Sequence, residues 1–148
     1  MKKYFELTPA AYVVFRKNEE ILLVRRANTG YFDGSYSLPA GHFDGGESAT
    51  SVAIREAKEE VGVDINSKDL RLVHTSHRAS NIPVKHERID LFFEAKKWEG
   101  ELTNKEPRKC DELRWVKIDQ LPPKMVPEVK QALQKIAAGE IYSELNLR

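Results

Sequence analysis

Apolar and polar positions alternate in blocks along the chain. Val13, Val14 and Phe15 lead into the polar turn "KNEE", and Ile21 to Val24 form a second apolar run. "AAYVVFRKNEEILLVRRA" therefore predicts a β-hairpin. "NTGYFDGSYSLPAGH" is rich in Gly, Asn and Asp, which predicts a loop with a short strand at Tyr36 to Leu38. A helix is expected from Glu47 or Ser48 to Val61, ended by Gly62. "LRLVHTSHRA", "ERIDLFFEAKKW" and "ELRWVKI" are rich in β-branched and aromatic residues and predict three further strands. A mobile loop, "NIPVKHE", joins the first two, and "GELTNKEPRKCD" forms a polar connection to the third. Val129, Ala132, Leu133 and Ile136 repeat at helical spacing, so "PEVKQALQKIAAG" is a second helix ended by Gly139. Hairpins mixed with helices imply an α/β sandwich around a mixed sheet. No repeat or linker-like tract interrupts the pattern, so a single domain over residues 1–148 is expected.

The first helix is electrostatically awkward. At about 100° per residue, Glu56, Glu59 and Glu60 share an arc of about 100°, beside an apolar stripe of Ala53, Ile54, Ala57 and Val61. Like charges four residues apart oppose helix formation by a few tenths of a kcal/mol. The helix C-terminus adds a penalty of about 0.3–1 kcal/mol for each carboxylate. One arginine, Arg55, cannot neutralise three acids. A divalent cation would, and oxygen ligands select Mg²⁺, Mn²⁺ or Ca²⁺. Most glutamate clusters on helices are solvated faces, so the helix alone leaves both readings open.

Composition narrows the setting. Charged residues make up 32% and hydrophobic residues 41%, the balance of a soluble globular protein with a real core. The 24 Lys and Arg nearly cancel the 23 Asp and Glu, leaving +1, so bulk charge gives no strong nucleic-acid signal and no reason to bind an anionic membrane. Cys110 is the single cysteine, which excludes an intrachain disulfide, fits a reducing compartment, and reads as a small packed residue. The N-terminus lacks a long apolar region, and a cytoplasmic location is expected.

Gly41, Glu47 and the run "REAKEEVGV" from Arg55 to Val63 carry a spaced pattern that resembles the Nudix box of the MutT-like hydrolases. Gly41, Glu47, Arg55, Glu56, Glu59, Glu60 and Gly62 supply its charged and glycine anchors, while Ala57 is smaller than the aliphatic residue usual at its position. "YSLPAGH" and "RWVKIDQLP" resemble the flanking strands, so the likeness covers most of the chain. It implies the Nudix fold, an α/β/α sandwich, and hydrolysis of a nucleoside diphosphate linked to a group X. It implies Mg²⁺ as cofactor, with Mn²⁺ as a substitute. By resemblance the metal ligands are Gly41 (through its carbonyl), Glu56, Glu59 and Glu60. A further acid after the box is expected at Glu112, with Asp111 and Glu106 as rivals. Glu56, Glu59 and Arg55 are the expected catalytic residues, Glu56 positioning and deprotonating water, with Glu47 in support.

The residues expected at the substrate are Arg26 on a phosphate, Tyr36 with Tyr31 and Phe32 near a base, and His42 and Arg78 close by. The other histidines read as structural or incidental, His77 being near enough to Arg78 to approach substrate, and Trp98 and Trp115, on strand-like segments, read as core or edge packing. "SHRAS" carries neither the proline typical of ADP-ribose hydrolases nor the tyrosine of dinucleoside polyphosphate hydrolases. "WEGELTNKEPRKCDELRWVKIDQLP" is similar to the corresponding segment of MutT-type pyrophosphohydrolases. The expected reaction is therefore a (deoxy)nucleoside triphosphate cut to monophosphate and pyrophosphate. The alternatives are another nucleoside diphosphate derivative, such as ADP-ribose or a nucleotide sugar, or a non-catalytic nucleotide-binding Nudix module. Family members often pair as homodimers, and the partner otherwise expected is a small nucleotide.

Overall fold

A computed structural model describes residues 2–82 and 84–147. The hairpin strands are β1 (Thr8–Lys17) and β2 (Glu20–Arg26), followed by β3 (Tyr36–Ser37) and β4 (Ala40–His42). Helix α1 (Ala49–Val61), a 3₁₀ turn (Ser67–Asp69), β5 (Leu70–Ser80), β6 (His86–Ala95) and β7 (Cys110–Lys117) come next. Helix α2 (Pro127–Ala137) and β8 (Tyr142–Leu145) complete the order. The expected loop "NIPVKHE" contains Pro83, which lies outside the described residues.

The strands run β3-β2-β1-β6-β5-β8, with β4 paired to β1 and β7 to β2. β1 and β6 are parallel, as are β5 and β8, while the remaining pairs are antiparallel. The sheet is thus mixed, with a helix on each face. Successive β1 side chains point to opposite faces. Ala11, Val13 and Phe15 pack with Val52, Ala53, Ala57 and Val61 of α1. Ala10, Tyr12 and Val14 pack with Val129, Ala132 and Leu133 of α2. Burial on both faces explains why β1 reads as an unbroken apolar run.

Helix α1 has the ends its sequence predicts. Ser48 is the N-cap, its hydroxyl accepting from the Ser51 N–H at 3.1 Å. Gly62 takes φ 76° and donates its N–H to the carbonyls of Ala57 and Lys58, a left-handed cap that a side chain would strain. Two strands depart from expectation. Pro39-Ala40-Gly41-His42 has little strand propensity, yet β4 forms because it pairs with β1 at Ala11↔Gly41. β8 is a four-residue edge strand beside β5, added after α2. Trp98 lies outside the strands; its segment is pinned by Asp64 and Glu99, whose backbone groups exchange hydrogen bonds at 3.0 and 2.8 Å.

Candidate active site

Glu56 and Glu60 on α1 meet β4 at Gly41 and Ala40. The space where a Gly41 Cβ would lie is filled by Glu56, with Cδ and Oε1 only 2.0 Å away, so only glycine admits the carboxylate there. The Ala40 N–H donates to Glu60 Oε2 at 2.8 Å. Burial and the neighbouring Glu56 charge hold the Glu60 carboxyl well above the usual carboxylate range. Burial, then the charge of Glu59, also raises Glu56. Arg55 is the counter-charge, but it is divided. Its Nε and Nη2 fork onto Glu47 at 2.9 and 3.0 Å, and Nη1 reaches Glu56 at 2.8 Å and Glu59 at 3.6 Å. Glu59 is exposed and outside the cavity lining.

A cavity of about 590 Å³ opens over these acids, lined near them by Gly41, Glu56, Glu60, Glu106, Lys109 and Cys110. Arg26, His42 and Arg78 line it as well. Arg26 Nε donates to the Tyr31 carbonyl at 2.6 Å, and its guanidinium stacks over the Tyr31 ring. Burial, then the Arg88 charge, lowers the His42 pKa and favours the neutral ring. Arg78 is buried, with Nε 2.6 Å from Asp90 Oδ2.

Glu112 and Tyr36, like Glu59 and Arg55, lie outside the cavity lining. Glu112 does not line the cavity: Arg25 Nη1 reaches its Oε2 at 3.0 Å and the Tyr36 hydroxyl donates to the same atom at 2.9 Å. Of the three candidates for the further acid, Glu106 is the one that lines the cavity with Glu56 and Glu60, and its charge acts on both. Tyr36 is a core residue outside the cavity lining, its ring flanked by the guanidinium groups of Arg25 and Arg114. Of its loop neighbours, Tyr31 lines the cavity, while Phe32 is exposed and packs edge-on against Tyr31. His74 is buried and bonded to Ser143 and the Glu140 carbonyl, in keeping with a packing role. Cys110 is half-buried beside the acids, its Sγ 3.3 Å from the Glu112 carbonyl.

Sequence reasoning missed Arg88, Asp90 and Glu128. Arg88 and Glu128 line the cavity, and Asp90 is buried beneath them. The sequence offered only a phase: Arg88 and Asp90 alternate on one strand face with Phe92.

Among the described residues, no group of three or more His, Cys, Asp or Glu side chains is drawn together as a closed ion site. The donor chemistry nevertheless fits a hard divalent cation. The acids are all oxygen donors, their carboxyls are desolvated and mutually repelling, and the glycine leaves room for one of them. No described helix is long and apolar enough to cross a membrane.

A family model described as NUDIX domain matches residues 6–136. The chain therefore belongs to the Nudix family. It is similar to the NAD-capped RNA hydrolase NudC of Pseudomonas aeruginosa, 31% identical over 123 residues, or 83% of this chain and 41% of that protein. The Stutzerimonas stutzeri protein of the same name is 32% identical over 122 residues, 82% of this chain and 41% of its own. The chain thus spans about two fifths of the length of these curated relatives. Its fold is that of the MutT NUDIX hydrolase from Burkholderia pseudomallei, with TM-score 0.78, 22% identity, and 87% and 97% of the two chains covered. A UDP-X diphosphatase shares it at TM-score 0.63 and 20% identity, covering 98% of this chain and 70% of the other.

Proposed function

We propose that this protein is a Mg²⁺-dependent hydrolase of nucleoside diphosphate derivatives, and that its substrate is a nucleoside triphosphate cut to monophosphate and pyrophosphate. The observation that carries this is the group of under-compensated acids, Glu56, Glu60 and Glu106, facing one cavity with Arg26 and Lys109. Glu56, Glu60 and Glu106 would hold the divalent ion, with Glu59 at the rim and the Gly41 carbonyl as a backbone oxygen. When bound, such an ion offsets phosphate charge and acidifies water. Glu56, on the cavity wall beside Gly41, would accept the proton of the attacking water. As the water oxygen bonds to phosphorus, the phosphoanhydride P–O bond breaks and pyrophosphate departs. Glu47 keeps Arg55 aimed at Glu56 through its two-pronged contact. Arg26 and Lys109, which line the cavity, would neutralise phosphate oxygens.

The NudC-named relatives favour a second reading, in which the substrate is a dinucleotide joined through its diphosphate, such as NAD⁺. One experiment separates the two: anion-exchange analysis of products after incubation with Mg²⁺ and nucleoside triphosphates, ADP-ribose, nucleotide sugars or NAD⁺, with Glu60→Gln as control. Pyrophosphate from triphosphates, absent in the control, is the expected result. Two mononucleotides from NAD⁺, with triphosphates intact, would install the second reading. Survival of every compound would remove both.

A further inference from the structure

The sheet face beneath α2 presents a second set of charges to the same cavity. The register of β5 and β6 places Arg78 directly opposite Arg88. Like charges facing each other across strands are unfavourable. Asp90, two residues along β6 and on the same face as Arg88, sits between them: it accepts from Arg78 Nε at 2.6 Å and lies 3.6 Å from Arg88 Nε. Glu128, in the first turn of α2, lies 3.6 Å from Arg78 Nη1 and accepts from the Tyr31 hydroxyl. Arg78, Asp90 and Glu128 are buried, and the Arg88 side chain is only 12% exposed. Among the described residues, Arg88 Nε and Asp90 Oδ1 are the buried side-chain polar atoms left without a hydrogen-bond partner.

Burying two arginines and two carboxylates is a poor way to stabilise a fold, since apolar replacements often do as well. Here three of the four line a cavity. Their charges sum to zero, which decides what they fit. A second phosphate placed there would meet Asp90 and Glu128 as well as the arginines. A guanidinium only donates and a carboxylate only accepts, so the matching ligand is neutral and carries an acceptor beside a donor. The edge of a nucleobase has that form.

We propose that Arg78, Arg88 and Glu128, held in register by Asp90, read the hydrogen-bonding edge of the substrate's nucleobase. Arg88 is the specificity-determining residue and Asp90 a positioning residue. This rests on the nucleotide-hydrolase reading and adds where the base is held and which groups select it. A site built to hydrogen-bond a substrate group discriminates strongly against an analogue that lacks it.

The test is kcat and KM with Mg²⁺ for GTP, ATP, CTP, UTP and purine riboside 5′-triphosphate, whose base has no exocyclic group on its pairing edge. Wild type, Arg88→Ala, Arg88→Lys and Asp90→Asn are compared, with thermal melting to confirm folding. In the wild type, at least one base should have a KM about tenfold below that of purine riboside triphosphate. Arg88→Ala should raise that KM about tenfold while kcat falls less than about threefold, and Arg88→Lys should recover part of the difference. Asp90→Asn should blunt the same preference. Five KM values within about threefold of one another, or an equal rise for all five in Arg88→Ala, would overturn the proposal and leave the hydrolase reading standing. If no triphosphate is turned over, the hydrolase reading fails for these substrates, and calorimetric titration with the same five compounds judges the base site separately. Base-dependent affinity lost in Arg88→Ala supports it. Base-independent binding, or none, overturns it.

Discussion

Replacing Gly41 with alanine tests whether the position of the Glu56 carboxylate, and not merely its charge, is needed. The new Cβ would lie 2.0 Å from Glu56 Cδ and Oε1 and 2.5 Å from Cγ, whereas real Cβ contacts essentially never fall below 3.0 Å. The carboxylate must therefore retreat by about 1 Å, the difference between 3.0 and 2.0 Å. Gly41 is not among the glycines with positive φ, so alanine strains no backbone there, and the displaced acid is the main effect. Glu56 has little freedom to yield elsewhere: its side chain is 12% exposed and Arg55 grips Oε1 at 2.8 Å. Misplacing a reacting group by 1 Å costs about 100-fold in rate, while overpacking costs about 1–3 kcal/mol of stability. The expected outcome is a folded protein with a modestly lower melting temperature and about 1% of wild-type kcat, read as pyrophosphate release with Mg²⁺. If alanine acts through Glu56, adding it to Glu56→Ala should cost little further activity. A Gly41→Ala protein within about threefold of wild-type kcat would refute the reasoning, because the acid's exact seat would then be immaterial.

Four other substitutions probe separate features. Glu60 has its carboxyl raised by burial and by Glu56, so the folded state binds its proton more tightly than the unfolded state does. That contribution is present at acid pH and is lost as pH rises through the folded value. Metal-free protein should accordingly lose melting temperature from the ordinary glutamate range upward, and Glu60→Gln should flatten the trend; an unchanged slope would count against the burial argument. Asp90→Ala leaves Arg78 buried without its 2.6 Å partner and should cost about 3–5 kcal/mol in urea denaturation; a loss under about 1 kcal/mol would contradict this. Glu106→Gln should lower Mg²⁺-dependent activity about 10–100-fold, and Glu112→Gln much less, because Glu112 is engaged by Arg25 and Tyr36. The opposite ranking would return Glu112 to the metal.

Helix α1 was legible because several signals agreed on it: the Ala53, Ala57, Val61 stripe, Ser48 at its start and Gly62 at its end. Its angular spacing also brought Glu56 and Glu60 to adjoining positions, which the structure sets against β4. β4 was illegible because its propensity is poor and only its pairing with β1 makes it a strand. Residues 99–109 are irregular but for one isolated bridge at Glu99, so spacing could not decide between Glu106 and Glu112. Tyr36 looked like a base contact from its loop, but its N–H donates to the Lys124 carbonyl at 2.9 Å, and this places it in the core. Arg88 and Asp90 fall on an expected strand with no role assigned to them. They face inward because β6 lies between β1 and β5 with both faces covered, a tertiary fact that no local pattern carries.

The two sets of charge around the cavity differ in one respect that bears on how a nucleotide would lie. Beside α1, Glu56 and Glu59 share an arginine already forked onto Glu47, Glu60 has only the Ala40 N–H, and Glu106 lies 3.9 Å from Lys109, so negative charge is in excess there. Beneath α2, Arg78 and Arg88 balance Asp90 and Glu128. A polyphosphate is repelled at the first place unless a cation lies between, whereas a neutral base needs no cation at the second. On the proposed reading, phosphates therefore point toward α1 and the base toward α2, and the two ends respond differently to chelation. Calorimetric titration in EDTA should bring the affinity for a nucleoside triphosphate down to or below that of its nucleoside, while Mg²⁺ should raise the triphosphate alone. Equal triphosphate affinity with and without Mg²⁺ would mean that the phosphates do not face Glu56 and Glu60. A nucleoside affinity that required Mg²⁺ would mean that the balanced charges beneath α2 do not hold the base.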